Sequence, residues 1–278
     1  MTKIKIVTEP VVEILAEMKL VEPGILGMAD WVREHRPDCT PEEGYENVYD
    51  LLPHGPIEGA DEKERLLTDN EILVELSGRT CYHSYAEKAG RKTNREYIEH
   101  SQSGEHPHVS IMYHAKISFF LAGISRRLTH ELIRNYVGAD RTEEGNPSQE
   151  STRFTHHYGF YVAPPAIVSD LGEMKLFEQA HQLNYDEYCQ YIDRQVTAWE
   201  VAHGSKPKGI DRKRIYEAAA AYLAQTCETS LIWTTNPVAL NKLFRERGAE
   251  NADAEFQRLV KKWKEVVLPR YPNLFPTK

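Results

Sequence analysis

The chain has 278 residues and a mass of 32.0 kDa, enough for one large domain or two small ones. With 42 acidic against 34 basic side chains and a formal charge of -8, it argues against a broad nucleic-acid surface but leaves room for a local phosphate pocket. No stretch reaches the roughly 18 to 20 apolar residues of a membrane span, and "MTKIKIVTEP" lacks a signal-type apolar run.

"KIKIV" alternates and reads as an opening strand, closed by Pro10. Prolines and glycines punctuate residues 20–60, which predicts loops around short helices such as "ILGMADWVREH". Asp69 is a candidate cap for a helix through "NEILVELSGRTCYHS", and Thr93 or Asn94 starts another over "REYIEHSQS". "ISFFLAG" reads as a buried strand bounded by Gly123. Ser125 opens the helix "SRRLTHELIRNYV", whose apolar face holds Leu128, Leu132 and Ile133. A loop, "VGADRTEEGNPS", follows, and then the aromatic segment "HHYGFYVAPP".

The C-terminal half is helical by pattern. "LFEQAHQLNYDEYCQYIDRQVTAWEVAH" is long and amphipathic, and "RKRIYEAAAAYLAQTC" is rich in alanine. Leu231 to Thr235 are short and partly β-branched. Asn236 as cap, Pro237 at the first helical position and Gly248 at the end bracket "NPVALNKLFRERG". "ADAEFQRLVKKWKEVVLPRY" is the last helix. Without repeats or a linker, one intertwined α/β domain is the simplest parse.

Cys39, Cys81, Cys189 and Cys227 form no close pair and no metal-ligand spacing, which predicts a reduced cytoplasmic protein. His106, His108 and His114 lack the acidic or thiol partners of a zinc pattern, so no metal is expected. Cys81 and His83 lack a third group for thiol catalysis. The run "GNPSQESTRF" is richer. Arg153 supplies a fork that matches a phosphate or a uracil carbonyl edge, Ser148 and Ser151 supply hydroxyls, and Gln149 both donates and accepts. This is the inventory of a nucleotide clamp, and equally that of a solvated loop. Arg247 reaches a ligand or simply favours its helix C-terminus.

Four segments, "HVSIMYH", "FFLAGISRRLTHELIRNY", "NPSQESTRF" and "TTNPVALNKLFRERGAENADAEF", taken in order, resemble the flavin-dependent thymidylate synthases. The match is clearest over residues 70–275. The resemblance implies one domain over 1–278 of α+β class, with a mixed or antiparallel sheet and long helices. It implies FAD as hydride carrier, with NADPH and 5,10-methylenetetrahydrofolate as co-substrates. It also implies a homotetramer whose sites are shared between subunits, with no nucleic acid or membrane partner. By position, His108, Ser110, Arg134 and Asn236 match flavin-site residues. Glu131, Ser148, Gln149, Ser151, Arg153 and Arg247 match nucleotide-site residues, with Ser151 and Arg247 closest to catalysis.

Departures from the family accompany the match. Its Arg-His-Arg opening is here Arg134-Asn135-Tyr136, and a signature serine is Asn146. Tyr113 stands where glutamate is common, Glu131 where glutamine is usual, and Ala220 where a ligand arginine is expected. The 137–145 loop looks longer than usual. Arg126, Arg127 and Arg141 are candidate replacements for the lost charge. The implied reaction is dUMP to dTMP. Methylation of another uridine nucleotide, such as UMP, and a non-catalytic flavin- or nucleotide-binding homologue are the alternatives.

Overall fold

The computed structural model describes residues 3–36, 51–52, 67–85, 93–103, 105, 107–136 and 146–275, apart from the side chains of 134–136 and 146. β1 (Lys5–Val7) pairs in parallel with β5 (Phe160–Val162). β2 (Val11–Glu17), β3 (Ile117–Ser125), β4 (Asn146–Gln149) and β6 (Glu228–Thr235) form an antiparallel sheet in the order β2-β3-β6-β4. A bridge between Tyr161 and Cys227 ties the small pair to the start of β6. The helices are α1 (Glu22–His35), α2 (Asp69–Tyr82), α3 (Asn94–Ser101), α4 (Arg126–Tyr136), α5 (Pro165–Val168), α6 (Leu171–His203), α7 (Gly209–Ala219), α8 (Pro237–Arg247) and α9 (Ala254–Arg270). The fold is α+β.

Side chains alternate across a strand, so one face of the sheet is apolar and buried. Ile117, Phe119 and Leu121 of β3 join Leu231 and Trp233 of β6 on that face. Trp263 of α9 meets Phe119 and Trp233, each at a ring-centroid distance of 5.2 Å. Full burial of one such side chain stabilises by roughly 1.5–3 kcal/mol. The opposite face carries exposed Val11 and Ile232 and half-buried Phe120 and Ala122.

Residues 11–17 form a strand through pairing with β3. Two local differences from the sequence expectations have clear causes. β3 does not stop at Gly123 but continues to Ser125 through an irregularity between Leu121 and Ile124. Gly123 has φ +66°, and a Cβ there would lie 2.5 Å from the Glu9 carbonyl oxygen. Only glycine fits that turn of the chain. Finally, "NPSQ" is not loop but β4, bound on one side to β6, and Pro147 is tolerated in such an edge strand.

Helix ends follow capping chemistry. Thr68, one residue before the expected Asp69, forms a reciprocal capping box with Glu71, while Asp69 accepts the Leu20 N–H at 2.8 Å. Thr93 and Glu96 repeat the box at α3. Asn236 accepts the Ala239 N–H at 3.0 Å, and α8 runs from Pro237 to Arg247. α7 ends at Ala219, earlier than its alanine run suggests, and a 3-10 turn takes Ala220–Tyr222.

A second core packs α6 and α7 against β1 and β5. His157 is buried there. Its Nδ1 accepts the Gly159 N–H at 3.1 Å, and its own backbone N–H donates to the Tyr188 hydroxyl at 2.9 Å. Burial, helped by nearby His156, pulls the His157 pKa from 6.5 down to about 4. Between those values the unfolded chain binds a proton that the folded chain does not. Stability is therefore expected to fall as pH drops from about 6.5 to about 4, by roughly 3 kcal/mol from this group alone. Burial shifts His156 and His181 in the same direction. Urea denaturation across that window should show a flatter pH dependence for His157→Gln. An unchanged slope would exclude His157 as a source of it.

Candidate functional site

α4 begins on a built foundation. Ser125 donates its N–H and hydroxyl to the Glu255 carboxylate, both at 2.8 Å, and its Oγ accepts the Leu128 N–H at 3.1 Å. Arg127 binds Asp253 through two bonds, 2.7 and 3.2 Å, and Glu255 at 3.1 Å. Burial alone would raise the Asp253 carboxyl, but the Arg127 bonds outweigh it and hold the group low. Those same bonds raise the Arg127 pKa. Arg126 donates to the Glu150 carbonyl at 3.2 Å. Arg126 and Arg127 thus tie α4 to β4 and α9. Arg141, the other expected replacement charge, lies outside the described residues.

That foundation aims Glu131 of α4 at Arg247, at the end of α8. Their side chains form an ion pair at 3.1 Å, the Arg247 side chain 24% exposed and that of Glu131 39%. The Arg247 guanidinium also lies 5.6 Å from the Phe256 ring centroid. A guanidinium fixed in this way presents a planar fork of the kind that matches a carbonyl-bearing ring.

The hydroxyl-rich run divides between two environments. Gln149 of β4 donates through Nε2 to Thr129 at 3.0 Å and Thr229 at 3.3 Å, so its amide orientation is set by α4 and β6. Ser148 is exposed on the other side of the strand. After β4 the chain turns: the Ser151 carbonyl accepts from the Phe154 and Thr155 N–H groups at 3.2 and 3.0 Å. The Ser151 hydroxyl accepts the Arg153 N–H at 3.3 Å. Arg153 is about half exposed and pairs with Glu217 of α7 at 3.2 Å. Sequence reasoning missed Glu217, which lies 64 residues away and belongs to no motif.

His108 and Asn236, expected at a flavin site, both carry buried polar atoms. The His108 Nε2 meets the Tyr82 hydroxyl at the end of α2, a partner with no sequence signal. Its Nδ1 is buried and has no partner, and neither has the buried Nδ2 of Asn236. Unpaired buried polar atoms are costly and call for a ligand or ordered water. Ser110 lies exposed in a 3-10 turn, Val109–His114. The Arg134 side chain lies outside the described residues. Arg153 and Arg247 engage different carboxylates on different helices.

Thiol chemistry finds no support at Cys227, whose buried thiol is pushed up to about 11. Burial raises Cys189 as well. Among the described residues no group of three or more His, Cys, Asp or Glu side chains is placed to hold a metal.

This sheet, with an arginine–carboxylate pair on α4 and α8 and another on the turn after β4, defines an α+β protein with two anchored guanidinium groups. Residues 65–273 match the family model described as thymidylate synthase complementing protein. The flavin-dependent thymidylate synthase of Mycolicibacterium vanbaalenii is 32% identical over 206 residues, covering 73% of this chain and 77% of the relative. That of Mycobacterium leprae is 32% identical over 192 residues, covering 67% and 71%. The chain belongs to the flavin-dependent thymidylate synthase family and is an enzyme of that type. Its fold is similar to that of a UMP/dUMP methylase, PolB from Streptomyces cacaoi, bound with 5-Br dUMP. The TM-score is 0.60 at 13% identity, over 98% of this chain and 95% of the other.

Proposed function

We propose that the protein methylates C5 of a uridine nucleotide reductively, converting dUMP to dTMP. The observation that carries this reading is the Arg247–Glu131 pair, held at 3.1 Å in a chain of this family. Arg247 stabilises negative charge that develops on the pyrimidine, and Glu131 fixes the orientation of its fork. Arg153 and Ser151 bind the phosphate end, and Ser148 and Gln149 line the approach. The unpaired buried Nδ1 of His108 and Nδ2 of Asn236 fit the polar groups of FAD, with Ser110 and Arg134 as further contacts. When bound, reduced FAD supplies hydride, methylenetetrahydrofolate supplies the carbon unit, and NADPH restores the flavin.

The enzyme works in the cytoplasm as a homotetramer of single-domain chains, 1–278, with each site shared between subunits. The exposed sheet face at Val11 and Ile232 supports contact with a second copy. Methylation of UMP is the second reading, favoured by Arg134-Asn135-Tyr136 and Asn146, which stand where the family carries Arg-His-Arg and a serine.

Purified protein supplied with reduced FAD and methylenetetrahydrofolate, then given dUMP and UMP in parallel, decides between them. The expected product is dTMP, identified by mass spectrometry. 5-Methyl-UMP alone would establish the second reading, and no methylated product with FAD bound would overturn both.

A further inference from the structure

The Arg153 clamp sits against α7. Glu217 of that helix holds the Arg153 guanidinium at 3.2 Å. One helical turn earlier, on the same face, is Lys213. Its ammonium lies 5.3 Å from the ring centroid of Phe154, the residue after Arg153. Phe154 is 59% exposed. Among the described residues Lys213 pairs with no carboxylate, whereas the Arg153 charge is offset by Glu217. α7 ends at Ala219, and the 3-10 turn that follows opens with Ala220, the position that lacks the family's ligand arginine.

We infer that Lys213 is the second cation of the phosphate subsite. It restores, from α7, the charge absent at Ala220 in the turn that follows the helix. This inference rests on the nucleotide-clamp reading of Arg153 and Ser151. A phosphate monoester carries close to two negative charges at neutral pH. A single guanidinium already paired with a carboxylate matches it poorly. Arg153 exchanges Glu217 for the phosphate, and Lys213 supplies the remaining positive charge as a point contact over the Phe154 ring. The site thereby selects a nucleotide over a nucleoside.

The test compares Lys213→Gln, Lys213→Arg, Glu217→Gln and Arg153→Ala in the full chain. Calorimetric titrations use dUMP, UMP and 2′-deoxyuridine at several salt concentrations, with circular dichroism as a check on folding. Glutamine keeps an aliphatic stem over Phe154 without the charge. Lys213→Gln is expected to weaken both nucleotides about tenfold, to leave 2′-deoxyuridine unchanged and to flatten the salt dependence of nucleotide binding. Lys213→Arg should retain the affinity, and Glu217→Gln should tighten it a few-fold. Equal losses for nucleotide and nucleoside, or no loss for the nucleotides, overturn the inference. If Arg153→Ala weakens dUMP while Lys213→Gln does not, the clamp stands and Lys213 is no part of it. If neither weakens dUMP, the clamp reading itself fails.

Discussion

Arg247→Ala is expected to lower the rate of the chemical step by about a hundredfold to a thousandfold, the loss typical of removing one charge-stabilising donor. The guanidinium is half buried, paired with Glu131 at 3.1 Å and seated 5.6 Å from the Phe256 ring centroid. Its position is therefore set before any ligand arrives, and its charge acts most strongly when the pyrimidine becomes electron-rich. Affinity for the nucleotide should fall much less than turnover. Single-turnover oxidation of the reduced flavin in the presence of nucleotide and methylenetetrahydrofolate measures the step directly. Glu131→Gln separates two roles for the pair. Loss of the carboxylate leaves the Arg247 charge in place but loosens its orientation, so a smaller loss of rate is expected than with Arg247→Ala. An Arg247→Ala protein that turns over at the wild-type rate would remove this residue from the chemistry.

Arg153→Ala is expected to weaken nucleotide binding by roughly tenfold to a hundredfold, equivalent to about 1.4–2.8 kcal/mol. Its ion pair with Glu217 is about half exposed on both sides, and pairs of that kind contribute about 0–1 kcal/mol to stability. The melting temperature should therefore barely change, and FAD binding should survive. Arg153→Lys keeps the charge but loses the two-pronged contact, so intermediate affinity is expected. Separate titrations of FAD and dUMP check this. Unchanged dUMP affinity in the alanine variant would return "SQESTRF" to an ordinary surface turn.

The two sites differ in how readable they were. Arg247 and Asn236 stand on α8, whose limits Asn236, Pro237 and Gly248 spell out locally, so their helical spacing follows from sequence. Arg153 was recognisable as a donor beside serines, but Glu217 and Lys213 were not. Nothing in "RKRIYEAAAA" says which face of α7 turns toward the Ser151 turn. The reverse holds for Arg126 and Arg127. As bare sequence they look like spare cations, yet the Glu150 carbonyl engages the first, and Asp253 with Glu255 the second.

The sequence by itself determined the long α6 helix, the start of α3 at Thr93 and the α8 boundaries. These rest on bonds between residues three or four apart and on a 3.6-residue apolar period. Tertiary structure alone decided that residues 11–17 are a strand, that β3 passes through Gly123, and that "NPSQ" closes the sheet as an edge. It also paired Arg247 with Glu131, Arg153 with Glu217 and His108 with Tyr82. The physical reason is range. A strand's hydrogen bonds and an ion pair's partner come from distant chain, so their local residues state a capacity to bond and the fold chooses with whom.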